Sequence, residues 1–228
     1  MSIRQRAYFI MKKTSADRIL INAFHQLWYQ SPGTWKRNTF LGLPIAQLPL
    51  DLWLYQELIY HNPPPFIIQT GVASAGSVLY SAHLLDMVGA PSDAIVVGVD
   101  IQLSQQARSL SHPRVRLIEA DSTALDTINR VGDLLPAREG MVVLDSDHSA
   151  RHVASELTVY APFVKTGHYL VVEDTNINGH PVWSGFGPGP LEAADDFLRA
   201  NPQFMRDDEL WQRNLFSFHQ RGWLKRLR

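Results

Sequence analysis

The sequence contains no cysteine, no long hydrophobic run and no excess of one charge. Without cysteine, a disulfide framework and any thiolate metal site are excluded. The longest apolar runs, such as 94–99 and 141–144, are far shorter than the ~20 residues that a membrane-spanning helix needs. The net charge of −1 argues against a dedicated nucleic-acid-binding protein. We therefore expect a soluble cytoplasmic protein with one main domain and no membrane partner.

The near-neutral total conceals an uneven distribution of charge. Residues 1–45 carry seven basic side chains and one acidic one, residues 205–228 carry six and three, and residues 46–204 carry eight and 18. The acidic middle of the chain is where we expect the chemistry. The basic start is explained either as a solvated end or as an amphipathic surface helix, and its apolar run 7–11 is too short for a signal-peptide core.

Strand-like and helix-like segments alternate through the middle of the chain. Short apolar runs rich in Val and Ile lie at 66–70, 94–100, 115–120, 141–145 and 169–174. The helix-like segments that alternate with them lie at 77–88, 104–110, 122–131 and 149–163. Strands buried on both faces and connected by helices favour an α/β fold, with a doubly wound, mostly parallel sheet and helices on both faces.

The segments on either side of this alternation are different. Two helix-like segments, 15–29 and 49–60, precede the first strand. They predict an N-terminal helical extension or cap over 1–62, followed by one sheet domain over 63–228. After the last parallel strand we expect a Gly- and Pro-rich lid or disordered connector, a helix and two late strands, at 176–190, 191–199, 215–219 and 223–227.

Small and acidic residues follow the predicted strands, at the edge where an open α/β sheet binds its ligands. The first strand continues into the turn GVASAGS at 71–77, in which Gly71 and Gly76 allow a ligand to approach the backbone closely. Asp100 ends the second strand, a position that suits a carboxylate binding the hydroxyls of a ribose. Asp121 ends the third strand and is explained equally as an adenine contact and as a helix N-cap.

Three carboxylates crowd the ends of the fourth and fifth strands, namely Asp145, Glu173 and Asp174. Like charges that are close together and partly buried raise one another's pKa or require a cation. Oxygen ligands in a chain without cysteine favour Mg²⁺ over Mn²⁺ or Ca²⁺. His148 is a candidate catalytic base near Asp145. The alternative is that the metal alone acidifies a substrate hydroxyl and that His148 orients Asp145 or faces water.

Together these motifs resemble the cephalosporin hydroxylase family. The resemblance rests on 66–77, VGVD at 97–100, VLDSDH at 143–148 and VVEDT at 171–175, with further matches at 41–51 and 187–193. Despite its name, this family belongs to the class I S-adenosylmethionine-dependent O-methyltransferases. The resemblance implies a Rossmann-like, seven-stranded sheet and metal-assisted methyl transfer to a hydroxyl of a small natural product or sugar-containing metabolite.

The resemblance also implies a role for each strand end. The cofactor's methionine part would be held by Gln69, Thr70, Gly71, Ala73, Gly76 and Ser77. The ribose, the adenine and Mg²⁺ would be held by Asp100, by Asp121 and Ser122, and by Asp145, Glu173 and Asp174, respectively. Gln69 departs from the family pattern, which has an acidic residue there, and an amide cannot offset the charge of a sulfonium.

The implied mechanism is the in-line displacement of the cofactor's methyl group by an acceptor oxygen. Asp145 would line the cofactor site and hold the metal that acidifies the acceptor hydroxyl, whose proton leaves to His148 or without a base. Asn176, His180 and Trp183, on the Gly- and Pro-rich loop, would contact this small-molecule acceptor. Self-association through the N-terminal helices is a further expectation.

Three other interpretations stay open on the sequence alone. A nicotinamide-dependent oxidoreductase is disfavoured because GVASAG lacks the GxGxxG spacing and because Glu173 and Asp174 have no role in hydride transfer. A degenerate methyltransferase that only binds its cofactor or a partner is kept open by Gln69. True hydroxylation lacks the two-histidine, one-carboxylate signature of a non-haem iron site.

Overall fold

The computed structural model describes residues 14–228, and its main feature is a seven-stranded sheet. The strands are β1 Thr39–Phe40, β2 Leu43–Pro44, β3 Phe66–Thr70, β4 Ile95–Asp100, β5 Val115–Glu119, β6 Met141–Leu144, β7 Tyr169–Val172, β8 Phe204–Arg206 and β9 Trp223–Arg226. The α-helices of the described residues are α1 Ser15–Gln30, α2 Pro49–His61, α3 Gly76–Met87, α4 Gln105–Ser109, α5 Leu125–Leu134, α6 Ala150–Tyr160, α7 Pro190–Ala200 and α8 Asp208–Gln212.

The strand order of the large sheet is β5-β4-β3-β6-β7-β9-β8. The strands from β5 to β7 are parallel, and β9 runs antiparallel to both of its neighbours. Because β3 lies between β4 and β6, the strand order switches direction there and leaves a crevice at the carboxyl ends. Thr70 pairs with Val99 of β4 and with Leu144 of β6, so these three strands end at one edge. The prediction of a doubly wound, mostly parallel sheet is confirmed.

The inner parallel strands β3, β4, β6 and β7 are buried on both faces, which is why their sequences are largely apolar, whereas the edge strand β5 is partly exposed. Successive side chains of a strand point to opposite faces. Ile68 packs on one face of the sheet with Leu157 of α6, whereas Ile67 packs on the other face with Leu54 of α2. Burial of each such side chain contributes about 1.5–3 kcal/mol to stability. Within the described residues, no helix combines the length and the apolar character needed to cross a membrane.

The N-terminal helices begin where the sequence predicts them. Thr14 caps α1 by accepting the N–H of Asp17, whose carboxylate accepts the N–H of Thr14 in return. Pro49 occupies the first turn of α2, where its missing N–H costs nothing. The predicted basic helix at the start of the chain lies outside the described residues.

The C-terminal part differs from the sequence prediction. Residues 215–219 form an irregular bend that leads into a turn and not a strand, because Leu215 has a φ of +72° and the Phe218 N–H donates to the carboxylate of Asp51. That bond takes the donor that a neighbouring strand would need. β8 and α8 are missing from the prediction because three and five residues show too little periodicity. The loop 176–190 contains turns, with no helix or strand before α7.

Candidate active site

A cavity of about 570 Å³ opens at the carboxyl edge of β3, β4 and β6. Its wall contains seven of the ten residues predicted to bind the cofactor, namely Gly71, Ala73, Ser77, Asp100, Asp121, Ser122 and Asp145. The other three, Gln69, Thr70 and Gly76, are buried in and beneath the turn between β3 and α3. The sheet topology thus brings these ten positions to one edge.

Two glycines of this turn are required by the close approach of backbone segments. A Cβ on Gly71, whose φ is +74°, would lie 1.9 Å from the carbonyl oxygen of Asp145. A Cβ on Gly76 would lie 2.2 Å from the carbonyl oxygen of Pro44. Backbone atoms cannot rotate out of the way as a side chain can. The turn is therefore packed directly against the end of β6 and against the β1–β2 hairpin.

Gln69 fastens this turn from beneath. Its side chain is buried, and the amide nitrogen donates to the carbonyl oxygen of Gly71 at 2.8 Å and to Oγ of Ser77 at 2.7 Å. A carboxylate could not donate to the Gly71 carbonyl. The departure from the family pattern therefore has a structural role in this chain.

Asp100 joins the end of β4 to the same turn. Its carboxylate accepts the N–H groups of Val72 at 2.7 Å, Ala73 at 3.0 Å and Gln102 at 2.9 Å. A carboxylate has about four lone-pair positions, so roughly one remains for a ligand in the cavity. Asp100 is thus both an organiser of the turn and an available acceptor.

Asp121 and Ser122 lie at the end of the cavity formed by the loop after β5. Hydrogen bonds from the backbone N–H and the hydroxyl of Thr123 lower the pKa of Asp121. The hydroxyl of Ser122 donates to Oε1 of the buried Glu156 at 2.6 Å. Asp121 therefore stays ionised at neutral pH, and Ser122 is held by a carboxylate behind the wall.

The sequence analysis missed Ser146 and His152, which line the cavity, and Glu156 behind them. Ser146 and His152 carry no distinctive sequence signal. Glu156 carries one, because its spacing from Val153 and Tyr160 places it on the apolar face of α6. A carboxylate on a buried helix face is rare enough to mark a functional or structural network.

Asp145, His148 and Asp174 converge at the ends of β6 and β7. Nε2 of His148 lies 3.4 Å from Oδ1 of Asp145, and its Nδ1 lies 3.6 Å from Oδ2 of Asp174. Each of the three offers a ligand atom, and these atoms all lie within 4.8 Å of one another. Ligand atoms at this spacing can surround a single metal ion.

The charges of this group perturb one another. Burial and the charge of Glu173 raise the pKa of Asp145 well above its ordinary value, and burial also raises the pKa of Asp174. Burial disfavours a charge on His148, but the hydrogen bond to Asp145 and the charge of Asp174 raise the pKa of His148 to about 9. At neutral pH His148 therefore carries a proton between two carboxyl groups. A site that concentrates negative charge in this way favours a cation.

The third predicted metal ligand, Glu173, is not part of this group. Its carboxylate accepts hydrogen bonds from the hydroxyl of Tyr55 at 2.5 Å and from the amide of Gln47, and it lies 3.6 Å from Nε2 of His219. Glu173 is 2% exposed, whereas the side chain of Asp174 is 24% exposed. The structure thus brings Asp145 and Asp174 together but turns Glu173 inward, because α2 and the segment before it supply its donors.

The three predicted acceptor contacts do not share one surface. Asn176 is fully buried, and its amide lies 2.9 Å from Nε2 of the buried His25 in α1, which does not fit the predicted contact with an acceptor. His180 is partly exposed and lies 2.8 Å from Oε1 of Glu192. Trp183 is 58% exposed, and its ring meets that of Phe186 edge to face at 5.0 Å.

A second group of potential metal ligands, His83, Asp86 and His112, lies at the end of α3. Nδ1 of His112 accepts the N–H of Arg114 at 3.2 Å, which places the ring proton on Nε2, where it faces Asp86 at 3.2 Å. The other oxygen of Asp86 accepts from Nε of Arg114 at 2.6 Å. These bonds give His112 and Asp86 partners without a metal.

The fold occurs in solved O-methyltransferase structures. An apo-structure of CmcI is 20% identical with a TM-score of 0.66, and CmcI with Mg and SAM is 19% identical with a TM-score of 0.64; each match covers 88% of this chain and 83% of the other. An O-methyltransferase from Bacillus cereus in complex with SAH is 15% identical with a TM-score of 0.54 and covers 89% and 87%. The fold is that of the class I O-methyltransferases.

The sequence comparisons identify the family. The model of the rhamnosyl O-methyltransferase/CmcI family matches residues 32–227. The rhamnosyl O-methyltransferase of Mycobacterium leprae strain TN is 34% identical over 203 residues, which cover 87% of each chain. That of Mycobacterium tuberculosis strain H37Rv is 34% identical over 184 residues, covering 79% of this chain and 74% of the relative. The chain belongs to the rhamnosyl O-methyltransferase/CmcI family, and it is an O-methyltransferase.

Proposed function

We propose that this O-methyltransferase uses S-adenosylmethionine and Mg²⁺ to methylate a hydroxyl of a sugar-containing metabolite or a related small natural product. The observation that carries the proposal is the convergence of Asp145, His148 and Asp174 beside a cavity whose wall contains most of the expected cofactor contacts. The rhamnosyl O-methyltransferase relatives support the sugar acceptor. The solved CmcI structure with Mg and SAM supports the two cofactors.

The metal ligands that we propose are Asp145, Glu173 and Asp174. Ligand atoms of Asp145 and Asp174 already lie within 4.8 Å of each other. The raised pKa values of these two carboxyl groups fit a site whose negative charge is balanced by a cation. For Glu173 to join them, its side chain must leave Tyr55 and Gln47. When bound, Mg²⁺ supplies positive charge that acidifies the acceptor hydroxyl.

The cofactor contacts that we propose follow the cavity wall. The turn at Gly71 and Ala73 supplies backbone close to the amino-acid part, and the remaining lone pair of Asp100 accepts a ribose hydroxyl. Asp121 and Ser122, at the end of the cavity formed by the loop after β5, contact the adenine. Gln69 does not weaken this assignment, because its amide supports the turn and lies beneath the cavity wall.

His148 is the proposed proton acceptor for the acceptor hydroxyl. It lies between Asp145 and Asp174, which hold the ring in place. A protonated imidazole cannot accept a proton, so His148 acts only in its neutral form. The rate of methyl transfer to the acceptor should therefore rise with pH as His148 loses its proton.

The loop 176–190 supplies the proposed acceptor contacts, Trp183 and His180. The loop adjoins the carboxylate group, since a Cβ on Gly189 would lie 3.4 Å from the carbonyl oxygen of His148. An exposed indole offers an apolar face beside a polar site, as a sugar ring requires. Asn176 supports the loop from inside through His25.

Three single variants test the metal site: Asp145→Asn, Glu173→Gln and Asp174→Asn. If all three residues are ligands, each variant weakens Mn²⁺ binding, measured by calorimetry, by at least about tenfold, because one charged ligand is lost. Methyl transfer from S-adenosylmethionine to a rhamnosyl acceptor should fall with it and stop in EDTA. Unchanged Mn²⁺ affinity in Glu173→Gln alone would leave Glu173 as an internal partner of Tyr55, and turnover in EDTA would exclude the metal.

We also propose that residues 1–62 form a cap on the sheet domain 63–228, and that the protein works in the cytoplasm. Gln26 of α1 donates to the carbonyl of Pro181 in the acceptor-side loop, which supports the cap.

Three exposed apolar side chains on α1, Ile19, Leu20 and Leu27, support self-association of two copies through this helix. Sedimentation equilibrium of the protein and of Leu20→Glu would test it.

A further inference from the structure

A fully buried carboxylate stands behind the part of the cavity wall formed by Ser122 and Ser146. Glu156 is 0% exposed, and its Oε1 accepts the hydroxyls of Ser122 at 2.6 Å and of Ser146 at 2.7 Å. Its Oε2 has no hydrogen-bond partner among the described residues. Burial of a carboxylate is unfavourable unless its surroundings compensate. The arrangement therefore calls for an explanation in terms of what it does to the two serines.

Glu156 fixes the direction in which both serine hydroxyls point. A hydroxyl has one hydrogen and two lone pairs. Because both hydrogens are donated to Glu156, Ser122 and Ser146 can only accept hydrogen bonds from a molecule in the cavity. The carbonyl of Ser122 also accepts the hydroxyl of Tyr160 at 2.8 Å, which holds the backbone in place.

His152 strengthens this arrangement. Its Nε2 lies 3.2 Å from Oγ of Ser122 and 3.4 Å from Oε1 of Glu156. The hydrogen bond to Glu156 raises the pKa of His152. A ring N–H of His152 at these distances adds a third donor beside Oε1 of Glu156, which accepts from both serines.

We propose that Glu156 is a positioning residue that presents Ser122 and Ser146 as acceptors for the exocyclic amino group of adenine. The cavity would thereby select a 6-amino purine over a 6-oxo purine. An amino group donates hydrogen bonds, whereas an oxo group accepts them and would meet two further acceptors. This inference rests on the cofactor assignment of the proposed function.

A purely structural role for Glu156 makes a different prediction. Glu156 also links α6 to the loops after β5 and β6, and loss of this link would lower stability. It would weaken the binding of every purine ligand by the same factor. The ratio of affinities for two purines that differ only at position 6 separates the two roles.

The test compares S-adenosylhomocysteine with S-inosylhomocysteine, in which oxygen replaces the 6-amino group, by calorimetry. The wild-type protein should prefer the adenosyl ligand by at least about tenfold. In Glu156→Leu the acceptor of both serine hydroxyls is lost, which frees these hydroxyls to donate into the cavity. The preference should then fall below about threefold. Glu209→Leu, an exposed change on α8, should keep the wild-type ratio.

Each outcome decides between the alternatives. A folded Glu156→Leu that keeps the wild-type ratio would overturn the proposal, even if both affinities fall. If thermal melting shows that Glu156→Leu does not fold, Ser146→Ala takes its place, because it removes one acceptor without burying a new group. A reduced ratio there supports the proposal, and an unchanged ratio overturns it. Failure of the wild-type protein to bind either ligand would instead refute the proposed cofactor, and this inference with it.

Discussion

Replacing Gly71 by alanine tests whether the first turn is held by its contact with the end of β6. A Cβ at this position would lie 1.9 Å from the carbonyl oxygen of Asp145, and real Cβ contacts stay beyond 3.0 Å. The backbone of Asp145 would have to move by about 1.1 Å, which endangers the 3.1 Å bond from its N–H to the carbonyl of Thr70. Because Asp145 belongs to the carboxylate group, metal binding should suffer together with stability.

The magnitude follows from two separate costs. An alanine with positive φ loses about 1–2 kcal/mol, and forced overlap in a packed site adds about 1–3 kcal/mol. Gly89 is the matched control, since its φ is +66° and a Cβ there would meet nothing within 4 Å. We expect Gly89→Ala to show only the first cost and Gly71→Ala to show both. For a protein with a stability of about 5–15 kcal/mol, that difference is readily measured.

Urea unfolding followed by circular dichroism gives the two stabilities, and calorimetry with Mn²⁺ gives the metal affinity. Gly71→Ala should be less stable than Gly89→Ala by at least about 1 kcal/mol and should bind Mn²⁺ more weakly than the wild-type protein. Equal stabilities and unchanged Mn²⁺ binding would refute the reasoning, because the turn would then tolerate a side chain without moving Asp145.

Two further predictions concern pH. Burial lowers the pKa of His25 to about 4, so between pH 6.5 and 4 the unfolded chain binds a proton at this residue that the folded chain does not bind. Stability therefore falls by about 3 kcal/mol as the pH drops from 6.5 towards 4. Burial also lowers the pKa of His168 to about 4, which adds a similar loss, so His25→Gln should remove roughly half of the combined loss in acid unfolding curves. An unchanged loss in that variant would contradict the prediction. Burial raises the pKa of Glu192, but the hydrogen bonds from His180 and Gly189 outweigh burial and lower this pKa to about 2. The stabilisation that the ionised Glu192 provides is therefore present above pH 4.5 and is lost as the pH falls towards 2. Because the side chain is 35% exposed, Glu192→Gln should lower the stability by only about 1 kcal/mol at pH 7. This corresponds to a fall of about 2–4 °C in the melting temperature, and the difference from the wild-type protein should shrink in acid. A difference that stays constant at all pH values would exclude the lowered pKa of Glu192 as its cause.

The parallel part of the fold could be predicted because its signal is local. Largely apolar runs mark β3, β4, β6 and β7, and the parallel register carries residues such as Asp100 and Asp145 to one edge. The site was therefore predictable at the level of which strands end in it. The late antiparallel strand β8 was not, since three residues carry no usable periodicity.

The direction of individual side chains could not be predicted, because it depends on partners far away in the sequence. Glu173 turns inward because Gln47 and Tyr55, more than 100 positions earlier, supply its donors. Asn176 is buried because His25 lies opposite it. Polar residues next to one another in the sequence, as Glu173 and Asp174 are, can thus belong to different networks.

The pairing of α1 with the end of the chain determines when this side of the molecule is completed during synthesis. His25 stacks on Phe218 and is bonded to Asn176, 151 positions later. Contacts of such separation carry a large loop-closure cost and form late in folding. On the ribosome, α1 emerges before Phe216 and Phe218, which cover its buried face. A chain interrupted before Phe216 would leave that face open to chaperones and proteases, so an intact C-terminus is a condition for a stable N-terminus.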